Sequence, residues 1–591
     1  MRRAGGACAL IAMAVIVAAC SSATPAGSSN RALQSPAADR APTALSVVVK
    51  KEPVTIALAG AGGVSQDEVK AALFTAGLAR TDDNEAPYLV LAEKLPALHS
   101  DSWQVFSDGR MQTTYTLRPG LEWHDGQPLV AGDFAFATRV NSALYESGQT
   151  NPTTEARQIE DVLTPDPRTL VIRWSSLYIG AETPALEPFP EHILAEPLAA
   201  GDLQAFASLP YWTTAYVGAG PYRLDRWEPG AFIDGTAFDR YALGTPKITR
   251  VRITWSADPN VALAGLLSDQ YQMAADTAIE FEQVATIEDR WGPAGGRVIL
   301  NPTQVRYQMV QARPEFVDPP TLLDVRVRRA LYQAIDRRAL ATAMLGDEAI
   351  VADSLVPPKT SFFKDLDAAI QKYPYDPRAT EQLMAEAGFS KDQEGMFVGP
   401  AGARFAPALW GIAQGQEAQE TTAVADFYRR AGVDVRLNLI PQARYTQDRN
   451  VVLNQFPALR DTYCTLLLDR CMDKFASSLI ASADTRWQGQ NRIGWANAEF
   501  DAYYDQYWKS LEPAERDRTV VEMARILSKE LPSLPFYFNV SVVAHSARLH
   551  GPKPVAPLTT AYWDIHEWTM GERYGRNVTS PLAERWIQAD S

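Results

Sequence analysis

Apolar residues recur along much of the chain with two spacings, one typical of strands and one typical of helices. Residues Ile248–Trp255 and Val433–Ile440 carry apolar side chains at about every second position, which is typical of strands with one buried face. Val327, Leu331 and Ile335 recur every four residues and predict one buried helical stripe. Because strand and helix signals follow each other through the second half of the chain, the pattern predicts an α/β fold there.

The stretch Val217–Gly230, VGAGPYRLDRWEPG, predicts a turn followed by a β-hairpin. Gly218 and Gly220 allow either a positive φ or a close approach of another backbone segment. Pro229 and Gly230 form a turn signal, so Ala231–Tyr241 is expected to return as the partner strand.

Several helix ends are marked by their end residues. Asp324 and Asp376 are suitable N-cap residues, while Gly388 and Gly432 are suitable stop signals. Apolar spacing predicts further helices over residues 260–267, 423–431, 500–511 and 518–531.

The N-terminus has the pattern of a targeting segment. Arg2 and Arg3 precede the apolar run Ala7–Ala18, which is too short for a convincing membrane span. The run ends in VAAC, which resembles a bacterial lipobox whose Cys20 accepts a lipid. A plain secretory signal with a chance cysteine is the alternative. The Ser-, Ala- and Pro-rich residues 20–53 predict a flexible tether to the membrane surface.

Length and charge narrow the class of protein. A chain of 591 residues is expected to contain two or three domains. Its apolar content of 46% and charged content of 21% are those of an ordinary globular protein. The net charge of −14 argues against a nucleic-acid partner, because phosphate binding needs a basic surface.

The sequence contains no recognisable set of catalytic residues. The chain has 6 histidines and no G-x-S-x-G, H-E-x-x-H or P-loop motif. His124-Asp125-Gly126 could suggest a metal site or a general base, but an Asp-Gly turn with a packed histidine is the better interpretation. We therefore expect no catalytic activity, no metal and no cofactor.

Two cysteines remain in the body of the chain, Cys464 and Cys471. In an exported protein such a pair favours a disulfide over a metal site. Zinc would require further sulfur or histidine ligands at short spacing, and the neighbouring sequence has none.

Several motifs together resemble solute-binding protein family 5, the substrate-binding lipoproteins of peptide-type ABC importers. The GAGPY turn and its W-x-P-G hairpin resemble a family signature, and the other matches follow in the family's order. These matches are Tyr115–Phe136, Val325–Arg337, Tyr375–Phe389, Gly432–Leu437, Asn497–Asp501 and Trp563–Trp568. Ala498 stands where the family usually has proline.

The resemblance implies a type II-like periplasmic-binding-protein fold of class α/β, with two lobes and an extra inserted domain. It places the base domain over 54–90, 215–312 and 536–571, the inserted domain over 91–214 and the large α/β lobe over 313–535. Residues 1–19 are expected to be the signal peptide, and residues 572–591 a loose C-terminal tail.

The resemblance also implies the function. We expect an extracytoplasmic, lipid-anchored monomer that binds a peptide between two closing lobes and delivers it to an ABC permease driven by an ATPase. Related proteins bind sugars, opines or nickel chelates, so another polar solute is the first alternative. An extracytoplasmic hydrolase is the second.

Relatives place a strand and an acidic anchor for the ligand amine near Tyr463–Phe475. Asp469 is the expected anchor and Asp473 the alternative, although either could be a solvated loop residue. The backbone around Leu466 and Leu468 is expected to hold the peptide as an added strand. Aromatic side chains expected to line the cleft are Trp410, Tyr463 and Trp495.

Overall fold

The computed structural model describes residues 43–57, 73–83, 86–150, 154–466, 471–555 and 559–571. The predicted signal peptide, the lipidation residue Cys20 and the C-terminal tail lie outside these residues. Two of the predicted ligand-binding residues, Leu468 and Asp469, also lie outside them.

Twenty-two strands form the sheets of the described chain. In chain order they are β1 (Ala44–Val49), β2 (Ala79–Thr81), β3 (Pro87–Leu89), β4 (Ala92–Lys94), β5 (Trp103–Val105), β6 (Met111–Leu117), β7 (Ile159–Asp166), β8 (Thr169–Trp174), β9 (Tyr222–Glu228), β10 (Phe232–Ala237), β11 (Arg250–Trp255), β12 (Met273–Ala274), β13 (Arg297–Val310), β14 (Ile350–Val351), β15 (Ser390–Lys391), β16 (Phe397–Val398), β17 (Ala408–Ile412), β18 (Arg436–Ile440), β19 (Leu459–Thr465), β20 (Ser533–His545), β21 (Leu549–His550) and β22 (Thr569–Met570).

The α-helices alternate with these strands. They are α1 (Ala131–Glu146), α2 (Thr154–Gln158), α3 (Glu191–Ala199), α4 (Leu203–Ala207), α5 (Pro259–Leu267), α6 (Val284–Arg290), α7 (Val325–Gln333), α8 (Arg337–Leu345), α9 (Phe363–Ala369), α10 (Pro377–Glu386), α11 (Gly415–Ala431), α12 (Gln442–Gln447), α13 (Arg449–Asn454), α14 (Ala498–Lys509) and α15 (Pro513–Glu530). In the described part of the chain, none of the helices is both long enough and apolar enough to cross a bilayer.

An 11-stranded mixed sheet runs through the protein in the order β18-β17-β19-β13-β20-β12-β1-β11-β10-β9, with β14 also paired to β20. Its two longest strands, β13 and β20, are antiparallel neighbours. The far end of β20 pairs with β12 beside β1, while the other end of β13 pairs with β19. These two strands therefore continue from the predicted base domain into the predicted large lobe.

A separate 5-stranded sheet, β4-β6-β8-β7 with β5 paired to β6, lies within the predicted inserted domain. One face of it buries Tyr115, Leu170 and Trp174 in a core with Trp123 and Phe134. The large-lobe end of the long sheet is covered by apolar residues on both faces, as expected for strands that lie between layers of helices.

The predicted tether is wrong at its C-terminal end. Ala44–Val49 forms β1, a parallel strand between β11 and β12, and its residues Leu45, Val47 and Val48 are buried. The apolar run VTIALAG, residues 54–60, also predicts a strand, but this is wrong over residues 54–57, which lie outside the strands. A strand buried on both faces carries a continuous apolar run, so ALSVVV shows no alternation to distinguish it from the sequence before it.

Local helix signals were predicted well. The side chain of Asp324 caps α7, that of Asp376 caps α10, and Gly432 ends α11 with a φ of 100°. The stripe that contains Val327 and Leu331 is buried, but Ile335 lies beyond the end of α7. The helix stops there because Asp336 caps a second helix, α8.

The glycines of the GAGPY turn allow a close approach rather than a positive φ. A Cβ on Gly218 would lie 2.2 Å from the carbonyl oxygen of Phe74, and one on Gly220 would lie 2.5 Å from its carbonyl carbon. The amide of Gly220 donates to that Phe74 oxygen at 3.1 Å. The strand β9 that follows forms the predicted hairpin with β10.

His124 joins this turn to the inserted domain. The amide of Gly218 donates to its Nδ1 at 3.2 Å, and its Nε2 lies 3.0 Å from the carbonyl oxygen of Gly220. The ring is therefore neutral, with the proton on Nε2, because Nδ1 must accept. Its place beside the Asp125-Gly126 turn agrees with the structural interpretation of this motif.

Burial lowers the pKa of His124 to about 4, from 6.5, although its bond to Gly220 opposes the shift. As the pH falls, the unfolded chain binds this proton before the folded protein does. The buried neutral ring of His124 therefore contributes to stability above about pH 6.5, and this contribution is lost towards pH 4. His124→Asn should thus lower the free energy of unfolding at pH 7. At pH 4.5 the loss caused by the substitution should be smaller by about 2 kcal/mol. Urea unfolding at both pH values measures this difference, with the exposed His99→Asn as control. The same destabilisation at both pH values would contradict it.

Candidate functional site

The candidate site lies where β13, β19 and β20 meet the first two turns of α11. Facing positions of the three strands bring Arg306 of β13 opposite Tyr463 of β19 and Tyr537 of β20. Gln416 and Glu420 project from α11 onto the same strands. We call this group of five residues the strand-edge site.

A buried ion pair holds the strand-edge site together. Arg306 donates from Nη2 to one oxygen of Glu420 at 2.8 Å and from Nε to the other at 3.0 Å. Both side chains are almost completely removed from solvent. Burial opposes the charge of the guanidinium, but the Glu420 carboxylate prevails and raises the pKa of Arg306 above its ordinary value. The guanidinium therefore keeps its charge, and its contact with Glu420 has the two-pronged geometry that suits arginine and a carboxylate.

Further polar groups extend the ion pair towards the end of β20. The Tyr537 hydroxyl donates to Glu420 at 2.5 Å and accepts from the Gln416 amide at 2.9 Å. The same amide lies 3.1 Å from Oδ1 of Asn539. Glu417, one turn before Glu420, has its carboxylate 3.9 Å from Arg306. The arrangement is a connected polar network in which negative groups outnumber the single arginine.

Asp461 of β19 lies next to this network and is fully buried. Its Oδ1 accepts from the Gln308 amide at 2.8 Å. Burial, and then the nearby charge of Glu420, raise the pKa of Asp461 to about 8. The carboxyl group is therefore protonated and neutral at pH 7 in the folded protein.

Asp461→Asn should raise the free energy of unfolding at pH 7 by roughly 4 kcal/mol. The folded-state pKa lies above the unfolded value of about 3.8, so folding at pH 7 requires uptake of a proton that the asparagine variant does not need. Urea unfolding should show this gain at pH 7 and little gain at pH 4.5, where the unfolded aspartate is itself becoming protonated. Equal gains at the two pH values would contradict the protonated state of Asp461.

One edge of β19 is open over most of its length. β13 pairs with all of Leu459–Thr465, whereas β17 pairs only with Leu459 and Arg460. The Leu466 amide donates to Thr303 of β13, so by alternation the Tyr463 backbone groups point to the opposite, open edge. Among the described residues no strand pairs with this part of the edge. It can accept an added strand.

The predicted aromatic residues have different environments. The Tyr463 side chain is 41% exposed, and its ring lies 5.6 Å from the Arg306 guanidinium. Trp410 is half-buried on β17, opposite Arg460, with Arg444 5.9 Å from its ring. Trp495 is buried among aromatic side chains, so it supports the core.

The residues predicted to hold the peptide backbone or its amine are not brought to the strand-edge site either. Leu466 is buried in the core behind β19. The carboxylate of Asp473 accepts from the Tyr504 hydroxyl at 2.5 Å, which engages it within the lobe. Leu468 and Asp469 lie outside the described residues, so the structure brings only Tyr463 of the predicted set to the strand-edge site.

Cys464 and Cys471 form a disulfide with their Cα atoms 5.8 Å apart, and this is the pairing that the sequence predicts. The bridge joins the end of β19 to the residue that follows the undescribed positions 467–470. Asp469 therefore belongs to a covalently closed loop of the chain. In the described ranges, no group of three His, Cys, Asp or Glu side chains is arranged to hold a metal ion.

A second contact region lies between the predicted inserted domain and the predicted large lobe. The rings of Tyr178 and Trp508 are stacked with centroids 6.2 Å apart and planes at 7°. Nε2 of His99 lies 2.7 Å from the Glu512 carboxylate. Trp508 of α14 and Glu512, which precedes α15, therefore lie against side chains of the predicted inserted domain.

Comparison with known proteins identifies the family. The pattern of the bacterial extracellular solute-binding proteins, family 5 Middle, matches residues 94–459, more than half of the chain. Brucella ovis and Brucella abortus have relatives described as ABC transporter peptide-binding proteins, 29% identical over 317 residues. That match spans 52% of this chain and 55% of each relative, so the chain covers about half of their length. The oligopeptide-binding protein AppA of Bacillus subtilis is 22% identical over 508 residues, which are 84% of this chain and 86% of AppA.

Solved structures share the fold. AppA in complex with a nonapeptide superimposes with a TM-score of 0.69 and 18% identity, covering 90% of this chain and 100% of AppA. NikZ of Campylobacter jejuni in complex with Ni(L-His) has a TM-score of 0.71 and 20% identity, covering 89% of this chain and 99% of NikZ. The predicted two-lobed α/β fold with an extra domain is therefore confirmed. The chain belongs to the bacterial extracellular solute-binding proteins of family 5.

Proposed function

We propose that this protein is the substrate-binding component of an ABC importer and that its ligand is a peptide in an extended conformation. The open edge of β19 beside the exposed Tyr463 ring carries this proposal. A peptide added along that edge would exchange main-chain hydrogen bonds with Tyr463, which do not depend on the peptide's sequence. The flat aromatic ring accepts many kinds of side chain.

The connection between the lobes supports closure around the ligand. β13 and β20 run from the base into the large lobe, and their pairing shifts register near Pro302 and Arg306. Such irregular positions on shared strands can absorb a change in lobe angle. The contacts Tyr178–Trp508 and His99–Glu512 would form when the lobes meet and separate when they open.

Calorimetric titration of the purified full-length protein tests the proposal. Tri- to pentapeptides of alanine should bind with a stoichiometry of one, while glucose and the nickel–histidine complex should not. Because main-chain bonds carry the interaction, replacing single alanines by other neutral residues should change the affinity only modestly. Binding of the nickel complex or the sugar, with no peptide binding, would instead favour another polar solute.

We also propose that Cys20 carries a lipid that holds the protein at the membrane. Its position after the small residues Val17, Ala18 and Ala19 supports this assignment. Cys20→Ala should release the protein from the membrane fraction, because one residue supplies the only site for the anchor. Membrane fractionation measures this release, and the intact mass of the protein shows whether a lipid is attached. A variant that stays membrane-bound and is processed like the wild type would exclude the anchor.

A further inference from the structure

The predicted base domain carries a polar cavity far from the strand-edge site. Its volume is about 520 Å³, and its lining includes Leu267, Asp269, Arg290, Trp291, Ser546 and Arg548. Ser546 follows His545, the last residue of β20, which is eight residues from Tyr537. At about 3.3 Å per residue, the two ends of that stretch lie roughly 26 Å apart. We call this feature the base cavity.

The base cavity presents charges of both signs. Arg548 forms an ion pair with Asp269 across the lining. Arg290, the last residue of α6, is exposed and forms no ion pair with another described residue. The neighbouring Glu288 and Asp289 do not belong to the lining. The lining therefore has two cations and one anion, in a protein whose net charge is −14.

An indole ring forms the apolar wall of the base cavity. Trp291 is only 9% exposed, and a Cβ on Gly296 would lie 2.4 Å from its ring, so the ring is packed against the Gly296 backbone. Such a fixed aromatic face attracts an ammonium group that lies over it. Tryptophan is also enriched where proteins meet the headgroups of a bilayer.

Hydrogen bonds connect the base cavity to the start of β1. The Ser46 amide donates to the side-chain oxygen of Gln272 at 3.0 Å, and the Gln272 amide donates to the Ser46 carbonyl oxygen at 2.9 Å. The Gln272 side chain donates to the carbonyl oxygen of Asp269 at 2.9 Å. The Ser546 amide donates to the carbonyl oxygen of Gln272 at 2.8 Å. Two lining residues are thus one residue removed from the first strand.

The length of chain before β1 limits how far this part of the protein can lie from a lipid on Cys20. Thr43, where the described range begins, follows Cys20 by 23 residues. A chain of that length spans at most about 80 Å when fully extended. Because a tether converts a second contact into an intramolecular one, even a headgroup site of about millimolar affinity would be occupied.

We propose that the base cavity binds the phosphoethanolamine headgroup of a membrane lipid and thereby orients the anchored protein on the bilayer. The phosphoryl oxygens would accept charge-assisted hydrogen bonds from Arg290 and Arg548, while the ammonium group would face Asp269 and Trp291. A zwitterionic headgroup suits this protein, because an anionic surface repels a net charge of −14. The membrane as the source of the headgroup rests on the proposed anchor at Cys20, and the site is independent of peptide binding.

Soluble O-phosphoethanolamine tests the chemistry of the base cavity without a membrane. In calorimetric titration of the purified full-length protein at constant ionic strength, it should bind at least fivefold more tightly than inorganic phosphate or ethanolamine. Arg290→Met should weaken this binding at least fivefold and should fold like the wild type, because Arg290 is exposed and outside any ion pair of the described residues. Arg429→Met, at an exposed arginine paired with Asp426, is the control and should bind like the wild type. Equal binding by R290M and the wild type would overturn the site.

Vesicles identify the source of the headgroup. Full-length Cys20→Ala protein should cosediment at least threefold more with vesicles of equal parts phosphatidylethanolamine and phosphatidylcholine than with phosphatidylcholine alone. Vesicles that contain phosphatidylglycerol in place of phosphatidylethanolamine should give no such gain, and adding Arg290→Met should abolish it. If free phosphoethanolamine binds but these vesicles show no preference, the cavity takes a soluble phosphoester and the membrane assignment is wrong.

The anchor and the peptide proposals can fail separately from this one. If Cys20→Ala is released from the cell membrane but no vesicle retains it, the anchor stands and the headgroup site is refuted. If Cys20→Ala stays with the cell membrane and its purified form shows vesicle binding that depends on Arg290, the headgroup site stands and the anchor is refuted. Alanine peptides should bind R290M as they bind the wild type, and a loss of peptide affinity would contradict the separation of the two sites.

Discussion

Arg306→Met should lower the free energy of unfolding by about 3–5 kcal/mol. The substitution leaves the Glu420 carboxylate buried, with only the Tyr537 hydroxyl as a hydrogen-bond donor of the network. An uncompensated charge in that position must either stay ionised at a large desolvation cost or take up a proton. The residue also contacts the Tyr463 ring, so its removal disturbs the exposed edge of the site.

A double-mutant cycle with Glu420→Gln separates the ion pair from packing. Each single variant should be strongly destabilised in urea unfolding at pH 7, while the double variant should lose much less than the sum of the two. Arg429→Met, which breaks an exposed ion pair with Asp426, should change stability by less than about 1 kcal/mol. Additive losses in the cycle would show that Arg306 and Glu420 act independently.

The elements that sequence predicted well are those encoded by neighbouring residues. The hairpin of β9 and β10 and the aspartate caps of α7 and α10 depend on short-range turn and capping geometry. β1 was missed because its place between β11 and β12 depends on segments about two hundred residues away in the chain. No local alternation reveals that kind of pairing.

The site was predicted less completely for a similar reason. The family resemblance points to Tyr463 and Trp410, but nothing in the sequence marks the charged residues Arg306, Glu420 and Asp461. A charged residue in a sequence is normally expected at the surface, and its burial is created only when partners from distant elements meet it. The one local sign of buried charge is the Arg460-Asp461 dipeptide, which interrupts an otherwise strand-like run.

If the ligand is a peptide, as proposed, we expect Asp469 to anchor its amine; this residue lies between the disulfide-bonded Cys464 and Cys471. A carboxylate that loses water when the lobes close needs the positive charge of the ligand. Asp469→Asn should leave the ammonium group facing a neutral amide, which typically costs 2–5 kcal/mol, a loss of about thirtyfold or more in affinity. Since Asp473 is already engaged by Tyr504, Asp473→Asn serves as the matched control and should change affinity little.

N-acetylated peptides test the same interaction from the ligand side. Acetylation removes the positive charge, so the wild type should bind the acetylated peptide about thirtyfold or more weakly than the free peptide. The two losses should not add, because Asp469→Asn and acetylation remove the same charge pair. Calorimetric titration of the four combinations measures this coupling directly. Equal affinity of the wild type for free and acetylated peptides would exclude amine anchoring, and additive losses would place the amine at another residue.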